Sequence, residues 1–508
     1  MTDGSIQFQL NGAPVSVAAE GLTLLEVVRD RLGVRSVKDG CSPQGQCGCC
    51  TVWVDGQPRV ACVTPSARVD GRAVTTLEGL ADADDWGRRL CAAGGSQCGF
   101  CTPGIVMRLA ATPAEQREPD GVRQSLLAHL CRCTGWNSVV DAACNVVAAP
   151  TDRDLDAAAR RASIEGARAQ VVAASVALGH GGFAADTAPV DALVAVRGAD
   201  GRWTVGESYA DARRAAGTLP GRRTTEPLRW PIGVPEGDWE RTLQTTWVDP
   251  AYLEPDAAWC APGGEPVGPL RNGGAFGGKA HSEVAEVARR LAHEYGRSVL
   301  AVYGRGDVVR LGPKRPPIAA GVRADGTGVV RVTRTPGIAA AIARVAPGLI
   351  VEEVDVVGPP TSCDIRGAGW VEALVLLAPD DGWITSPSGG RARATIDTLD
   401  GAVRVEVQCG PVLDEVVLRS YCVGAAHMAL GWVRNEGIAV SVDGEPLDLT
   451  IRSFGVLRAV DTPNIEVAAV PDDGDGPPVN GSDAVFAAVA LAAWRASGFA
   501  PRWPTMRT

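Results

Sequence analysis

Ten of the fifteen cysteines in this 508-residue chain lie between Cys41 and Cys133, and eight of those ten fall into two compact sets. The first is Cys41, Cys47 and Cys50, in the loop Cys41-Ser-Pro-Gln-Gly-Gln-Cys47-Gly48-Cys49-Cys50, with Cys62 twelve residues further on. The second is Cys98 and Cys101, in Gln97-Cys98-Gly99-Phe100-Cys101, with Cys131 and Cys133 in Cys131-Arg132-Cys133-Thr134-Gly135. In a long chain with no export signal, cysteines grouped this way point to metal or redox chemistry rather than to disulfides. Two four-thiolate sets predict two [2Fe-2S] clusters. Gly40, Gly45 and Gly48 let the first loop fold closely round a cluster, with its backbone amides turned towards the sulfides. Both pairs of the second set stand at helix starts, where N-terminal amides stabilise thiolate.

Zinc is the competing occupant. Structural zinc pairs short C-x2-4-C knuckles, whereas C-x5-C-x2-C with a distant fourth cysteine follows the plant-ferredoxin arrangement. Cys50 is assigned as the third ligand of the first set because it keeps a two-residue gap from Cys47, and Cys49 stays open as an alternative. Cys91, Cys144, Cys260, Cys363, Cys409 and Cys422 stand alone and read as small core residues.

The length implies about three or four domains. A net charge of −10 and a pI near 5.2 provide no overall basic footprint, which argues against nucleic acid and anionic membrane surfaces as partners. No apolar run approaches the roughly 20 residues needed to span a bilayer, so no membrane insertion is expected. Met1-Thr2-Asp3-Gly4-Ser5 has neither the basic nor the apolar part of an export signal, so the cytoplasm is the expected compartment.

The chain reads as α+β. Ile6 to Leu10 alternates as a half-buried strand, Asn11-Gly12 marks a two-residue hairpin, and Val15 to Val17 pairs back. Thr23 caps a helix carrying Leu24, Leu25, Val27, Val28 and Leu32, and Thr51 to Val54 is the next strand. Residues 1–80 thus form one small sheet domain and 81–150 a helical one, with helical segments at Gly104 to Leu109 and Ser125 to Ala128. An Ala/Arg/Asp-rich helical linker follows within 151–240, and 241–508 mixes helix and strand, including a helix from Glu283 to His293 and a strand from Val329 to Val332.

The two cysteine sets, in this order and with Thr51-Val52, Thr102-Pro103-Gly104 and Cys131-Arg132-Cys133-Thr134-Gly135, resemble the iron–sulfur subunit of the xanthine oxidase family of molybdenum hydroxylases. The resemblance implies a ferredoxin-like β-grasp domain and a small four-helix domain, each with one [2Fe-2S] cluster. Two departures stand out: five residues rather than four separate Cys41 from Cys47, and Trp136 stands where the family has Tyr. Further on, Tyr252-Leu253-Glu254-Pro255, Asn272-Gly273-Gly274-Ala275-Phe276-Gly277-Gly278-Lys279, Lys314-Arg315-Pro316, Arg366-Gly367-Ala368-Gly369, Val423 to Gly431 and Asp461-Thr462-Pro463 follow the order of the family's molybdopterin-binding subunit. Residues 151–240 are therefore expected to hold the linker and a remnant of that subunit's N-terminal domain, and 241–508 a shortened, mixed α/β, molybdopterin-binding-like region, the whole of 151–508 being about half the usual length.

The resemblance implies Gln97, Gly273, Gly274, Phe276, Gly277, Gly278 and Arg366 as contacts to a molybdopterin-type cofactor. An ordinary tight strand-to-helix turn is the alternative for the glycine loop. The family's catalytic glutamate has no clear counterpart: an ungapped match puts Ser482 there with Asp483 adjacent, and Arg366 either orients a ligand or pairs with Asp364. Asp483 and Arg366 are thus the weak catalytic candidates. No FAD-binding segment is evident in this chain, which implies a separate flavoprotein, another electron-acceptor subunit, or a full-length molybdenum subunit as partner. Two functions follow: a molybdenum-hydroxylase-like oxidoreductase passing electrons from a pterin site through two clusters to an external acceptor, or a non-catalytic electron-transfer or scaffold subunit.

Overall fold

The computed structural model describes residues 4–41, 43–144, 153–217, 224–268, 274–471 and 476–507. Helices and strands are mixed along the chain, and the N-terminal sheet has the strand order Ala13–Ala18, Ser5–Leu10, Ala73–Thr75, Thr51–Val54, Gln57–Val60. The first two strands are antiparallel, joined through Asn11 and Gly12, whose φ values of 52° and 84° are those a two-residue hairpin turn demands. Ser5–Leu10 then pairs in parallel with Ala73–Thr75, which closes the grasp-type sheet.

The helical segment beside that sheet starts where Thr23 and Glu26 cap each other. The Thr23 amide donates to the Glu26 carboxylate at 2.8 Å, and the Glu26 amide donates back to the Thr23 hydroxyl at 3.2 Å. The segment widens into a π-type turn over Glu26–Arg31 and buries Leu24, Leu25, Val27 and Val28.

Four helices follow: Ala83–Ala93, Thr102–Ala110, Pro119–Ser125 and Asn137–Ala143. The third differs from the segment expected at Ser125 to Ala128. Its start is fixed upstream by Glu118, whose carboxylate accepts from the amides of Asp120 and Gly121, and by Pro119 in the first turn. The chain therefore leaves the helix at Leu126, and His129 to Cys131 come down onto the first cysteine loop.

Three further four-stranded sheets, with helices against them, build the rest. Their central pair is Glu415–Arg434 and Ser482–Ala496, where Trp432 stacks on Phe486 with ring centroids 5.4 Å apart. Glu415–Arg434 is the one described helix long and apolar enough to cross a membrane, and 89% of its apolar window is buried inside the protein. The Ala/Arg-rich helix Leu155–Gly166 packs into this body rather than standing off as a spacer. Arg161 donates to Glu165 at 3.0 Å and to the Val412 and Val479 carbonyls, and Glu165 accepts from the Gly481 and Ser482 amides at 3.1 and 2.9 Å.

The N-terminal cysteine region is bolted to this body by charged side chains that reach backbone carbonyls. Arg305 donates to the Gly40, Tyr252 and Leu253 carbonyls, and Arg452 to those of Gln46 and Leu127. Arg132 makes a two-pronged ion pair with Glu436, at 2.6 and 2.8 Å.

Candidate iron–sulfur site

Every cysteine of the first set is buried, with 1–2% exposure at Cys41, Cys47, Cys50 and Cys62. The Cys41 thiol touches those of Cys47 and Cys62, and Cys62 in turn touches Cys50. The Gln44 and Gln46 amides donate to Cys41 Sγ at 3.3 and 3.4 Å, and the Cys62 amide donates to Cys50 Sγ at 3.4 Å. These contacts hold the Cys41 thiol well below its ordinary range, the hydrogen bonds from Cys47 and Cys62 acting most strongly. Cys49, fully buried, touches only the Cys47 end of the group.

The second set meets as two pairs. Cys98 and Cys133 have sulfurs 3.6 Å apart, and Cys101 contacts Cys131. The Cys101 contact, helped by the Thr134 hydroxyl 3.1 Å away, brings Cys131 down to about 6 despite burial. Among the described residues no three His, Cys, Asp or Glu side chains surround a single point as ligands of one metal ion. Thiols in contacting pairs instead suit a two-iron centre, in which each iron takes two thiolates. The donor chemistry fits: all sulfur, buried but for the partly exposed Cys98, with amides aimed at sulfur.

The two loops are in direct contact. The Leu130 amide donates to the Cys47 carbonyl at 3.0 Å, and His129 Nε2 lies 3.1 Å from the Thr51 hydroxyl. A Cβ at Gly48 would fall 2.5 Å from the His129 ring, and Gly48 has φ +74°, so only glycine passes under the imidazole there. Burial is the main force pushing His129 down to about 3, so the ring between the two sets is neutral.

The residues tied by resemblance to a pterin are placed otherwise. Gln97 donates its amide to the Cys133 carbonyl at 3.0 Å and to the Ser420 carbonyl and hydroxyl at 3.1 and 3.0 Å, linking the second cysteine loop to helix Glu415–Arg434. Gly273 lies outside the described residues. At Gly274 an added Cβ would meet Cys98 and Cys133 Sγ at 3.2 Å; at Gly277 it would meet the Asp364 carbonyl at 1.9 Å. At Gly278 it would meet the Tyr252 ring at 2.4 Å. These three glycines thus admit the protein's own atoms.

Phe276, with φ +50°, accepts the Arg366 amide at 3.1 Å. Arg366 pairs with Asp483 at 2.8 Å and donates to the Ser482 hydroxyl at 2.6 Å, not with Asp364, which faces His281 at 3.0 Å. Asp483 could not be read as its partner from the sequence because 117 residues separate them. The cavity bordered by Phe276, Arg366, Arg315, Trp432 and Phe486 encloses ≈ 20 Å³, room for on the order of one water. Arg315 fills its wall, paired with Glu372 at 2.7 Å and stacked 4.0 Å over Trp432. A pterin cofactor, which needs a pocket of roughly 300 Å³ or more, does not fit among these described residues.

Sequence reasoning missed the side chains that lock this region, namely Ser420, Glu436 and Glu372, since nothing local marks a buried acid or serine whose partner lies 323, 304 and 57 residues away. Gly424 was found only as part of a motif, yet a Cβ there would sit 1.8 Å from the Cys133 carbonyl. Gly424→Ala is expected to cost about 1–3 kcal/mol by overpacking and to loosen the second cysteine loop. Iron retention during urea titration reads this out, as earlier release than from the parent chain.

Two four-cysteine nests, one beside a grasp sheet and one within a small helical bundle, define an iron–sulfur oxidoreductase. Residues 76–144 match a family described as a [2Fe-2S] binding domain. The chain is 38% identical over 145 residues to the xanthine dehydrogenase iron-sulfur-binding subunit of Escherichia coli O157:H7, covering 27% of this chain and 90% of that protein. It is 36% identical over 138 residues to the nicotinate dehydrogenase small FeS subunit of Eubacterium barkeri, covering 26% and 87%. The chain belongs to the xanthine oxidase family of molybdenum hydroxylases. Its match to the xanthine dehydrogenase of Emericella nidulans, 41% identical over 159 residues, covers only 11% of that longer protein and 28% of this chain. The fold as a whole is similar to the aldehyde oxidoreductase of Desulfovibrio gigas, with a TM-score of 0.70, 14% identity and 99% of each chain aligned.

Proposed function

We propose that this chain is a two-cluster electron-transfer subunit of molybdenum-hydroxylase type, in which Cys41, Cys47, Cys50 and Cys62 hold one [2Fe-2S] cluster and Cys98, Cys101, Cys131 and Cys133 the other. Bound clusters supply one-electron carriers. The chain's own residues exclude water from the first nest, bury three of the four thiols of the second, aim amides at the sulfurs and join the two loops through the Leu130–Cys47 hydrogen bond. The observation that carries the reading is the meeting of eight thiols, seven of them buried and Cys98 partly buried, in two adjoining nests. Electrons leave to a partner, a separate flavoprotein or other acceptor subunit, and the relatives named above are themselves called subunits. Because Arg366, Arg315, Gly274, Gly277 and Gly278 are packed against protein atoms, the substrate-oxidising molybdenum centre is assigned to a partner chain.

A second reading keeps a molybdopterin in this chain, held by Gln97, Gly273 to Gly278 and Arg366. The meeting of Phe276, Arg366 and Asp483 two residues from Gly274, which touches the second cysteine set, favours it. Metal analysis of chain purified from a cofactor-producing host separates the two. About four iron and four labile sulfide per chain without molybdenum or pterin is expected; molybdenum at one per four iron would overturn the first reading, and zinc in place of iron would overturn both.

A further inference from the structure

A cavity of ≈ 270 Å³ opens beside the first cysteine loop, far larger than the space at Arg366. Its size approaches the roughly 300 Å³ at which small-molecule pockets begin. Four arginines line it, Arg197, Arg213, Arg305 and Arg310, in a chain whose net charge is −10. Among the described residues Arg197, Arg305 and Arg310 have no carboxylate within ion-pair distance, and Arg213 has only a long contact of 3.6 Å to Glu26. Arg305 is 1% exposed and is solvated by carbonyls alone, so its charge is buried without an opposite partner.

The two lining carboxylates do not cancel this. Asp307 is turned inward, its carboxylate accepting the Gly304 amide at 3.1 Å, and one carboxylate stands against four guanidinium groups. Glu445 is exposed at the margin. On the cysteine side stands Gln44, whose Nε2 is used by the Leu449 carbonyl at 3.0 Å while its Oε1 is buried with no partner among the described residues. A buried acceptor left unmatched costs about 1–3 kcal/mol, which a donor on a ligand would recover. Tyr209 adds an aromatic wall.

We propose that this cavity binds a phosphorylated small molecule of mononucleotide size, with its phosphate among Arg197, Arg213 and Arg310 and an N–H or O–H of its organic part on Gln44 Oε1. Guanidinium forks suit phosphate oxygens, and a phosphate held by the arginines leaves the Gln44 acceptor for a donor on the organic part. The site does not depend on where molybdenum is bound, so it stands or falls separately from the function proposed above.

Titration calorimetry on the full chain with its iron in place tests it, using adenosine monophosphate and inorganic phosphate as probes. The nucleotide is expected to bind about tenfold or more tighter than phosphate, and R197Q and R310Q each to weaken it about tenfold, as loss of a charge-assisted bond implies. Q44L should remove most of the nucleotide's advantage, and R404Q, on an exposed strand elsewhere, should change nothing. On the unsubstituted chain, the nucleotide should protect Arg197, Arg213 and Arg310 from phenylglyoxal. No nucleotide binding at millimolar concentration, equal affinity for the two probes, indifference to R197Q and R310Q, or protection confined to other arginines would each overturn the proposal.

Discussion

Replacing Cys98 with serine is expected to lower the iron of the purified chain from about four atoms to about two and to erase one of two reduced-state spectroscopic signals while leaving the other. The Cys98 sulfur lies 3.6 Å from that of Cys133, with the Gly274 backbone closing over both. The two nests share no ligand, and the first is closed by its own residues, Cys41 to Cys62. Cys49→Ser is the contrasting variant. Its thiol touches Cys47 but neither Cys62 nor Cys50, outside the Cys47–Cys41–Cys62–Cys50 chain of contacts, and both signals should survive. Loss of the first signal in the Cys49 variant would reassign the ligand, and loss of both signals in the Cys98 variant would show that the nests do not assemble separately.

What could be read from the sequence divides along a physical line. The hairpin at Asn11-Gly12, the cap at Thr23 and the strand Thr51–Val54 rest on residues within a few positions of one another, where turn chemistry and alternation act directly. The cysteine spacing is equally local, and the structure brings each spaced set into contact. The end of the helix at Ser125 was less legible, because apolar Leu126 and Leu127 continue the helical pattern while the start was set by Glu118 and Pro119. The glycine loop shows the limit most clearly. Its sequence says that backbone must come close to something; only the fold says that Gly274 meets cysteine sulfur and Gly277 meets the Asp364 carbonyl. Arg366 has only Asp364 as a partner within its own stretch of sequence; the fold gives it Asp483 instead, at the start of a last helix that Glu165 fixes by accepting the Gly481 and Ser482 amides.

The other large effect is expected at Arg132, the residue between two cysteines of the second set. Its guanidinium is 5% exposed, grips both oxygens of Glu436, itself 1% exposed, and donates a further bond to the Pro250 carbonyl at 3.0 Å. Arg132→Leu removes the cation and leaves a carboxylate sealed in the core, which typically costs 3–5 kcal/mol, about as much as a marginal domain can lose. Glu436→Leu strands the guanidinium and should be similarly damaging. In the double variant neither charge remains, and a packed apolar pair is often no less stable than the ion pair it replaces. The urea midpoint, followed through cluster absorbance, should therefore fall steeply in each single variant and return most of the way in the double. Its failure to return would mean that the pair does more than neutralise itself. In that case Arg132 acts chiefly through Pro250, holding the Cys131–Cys133 turn against the body of the protein, and iron would leave the second nest first even with both charges gone.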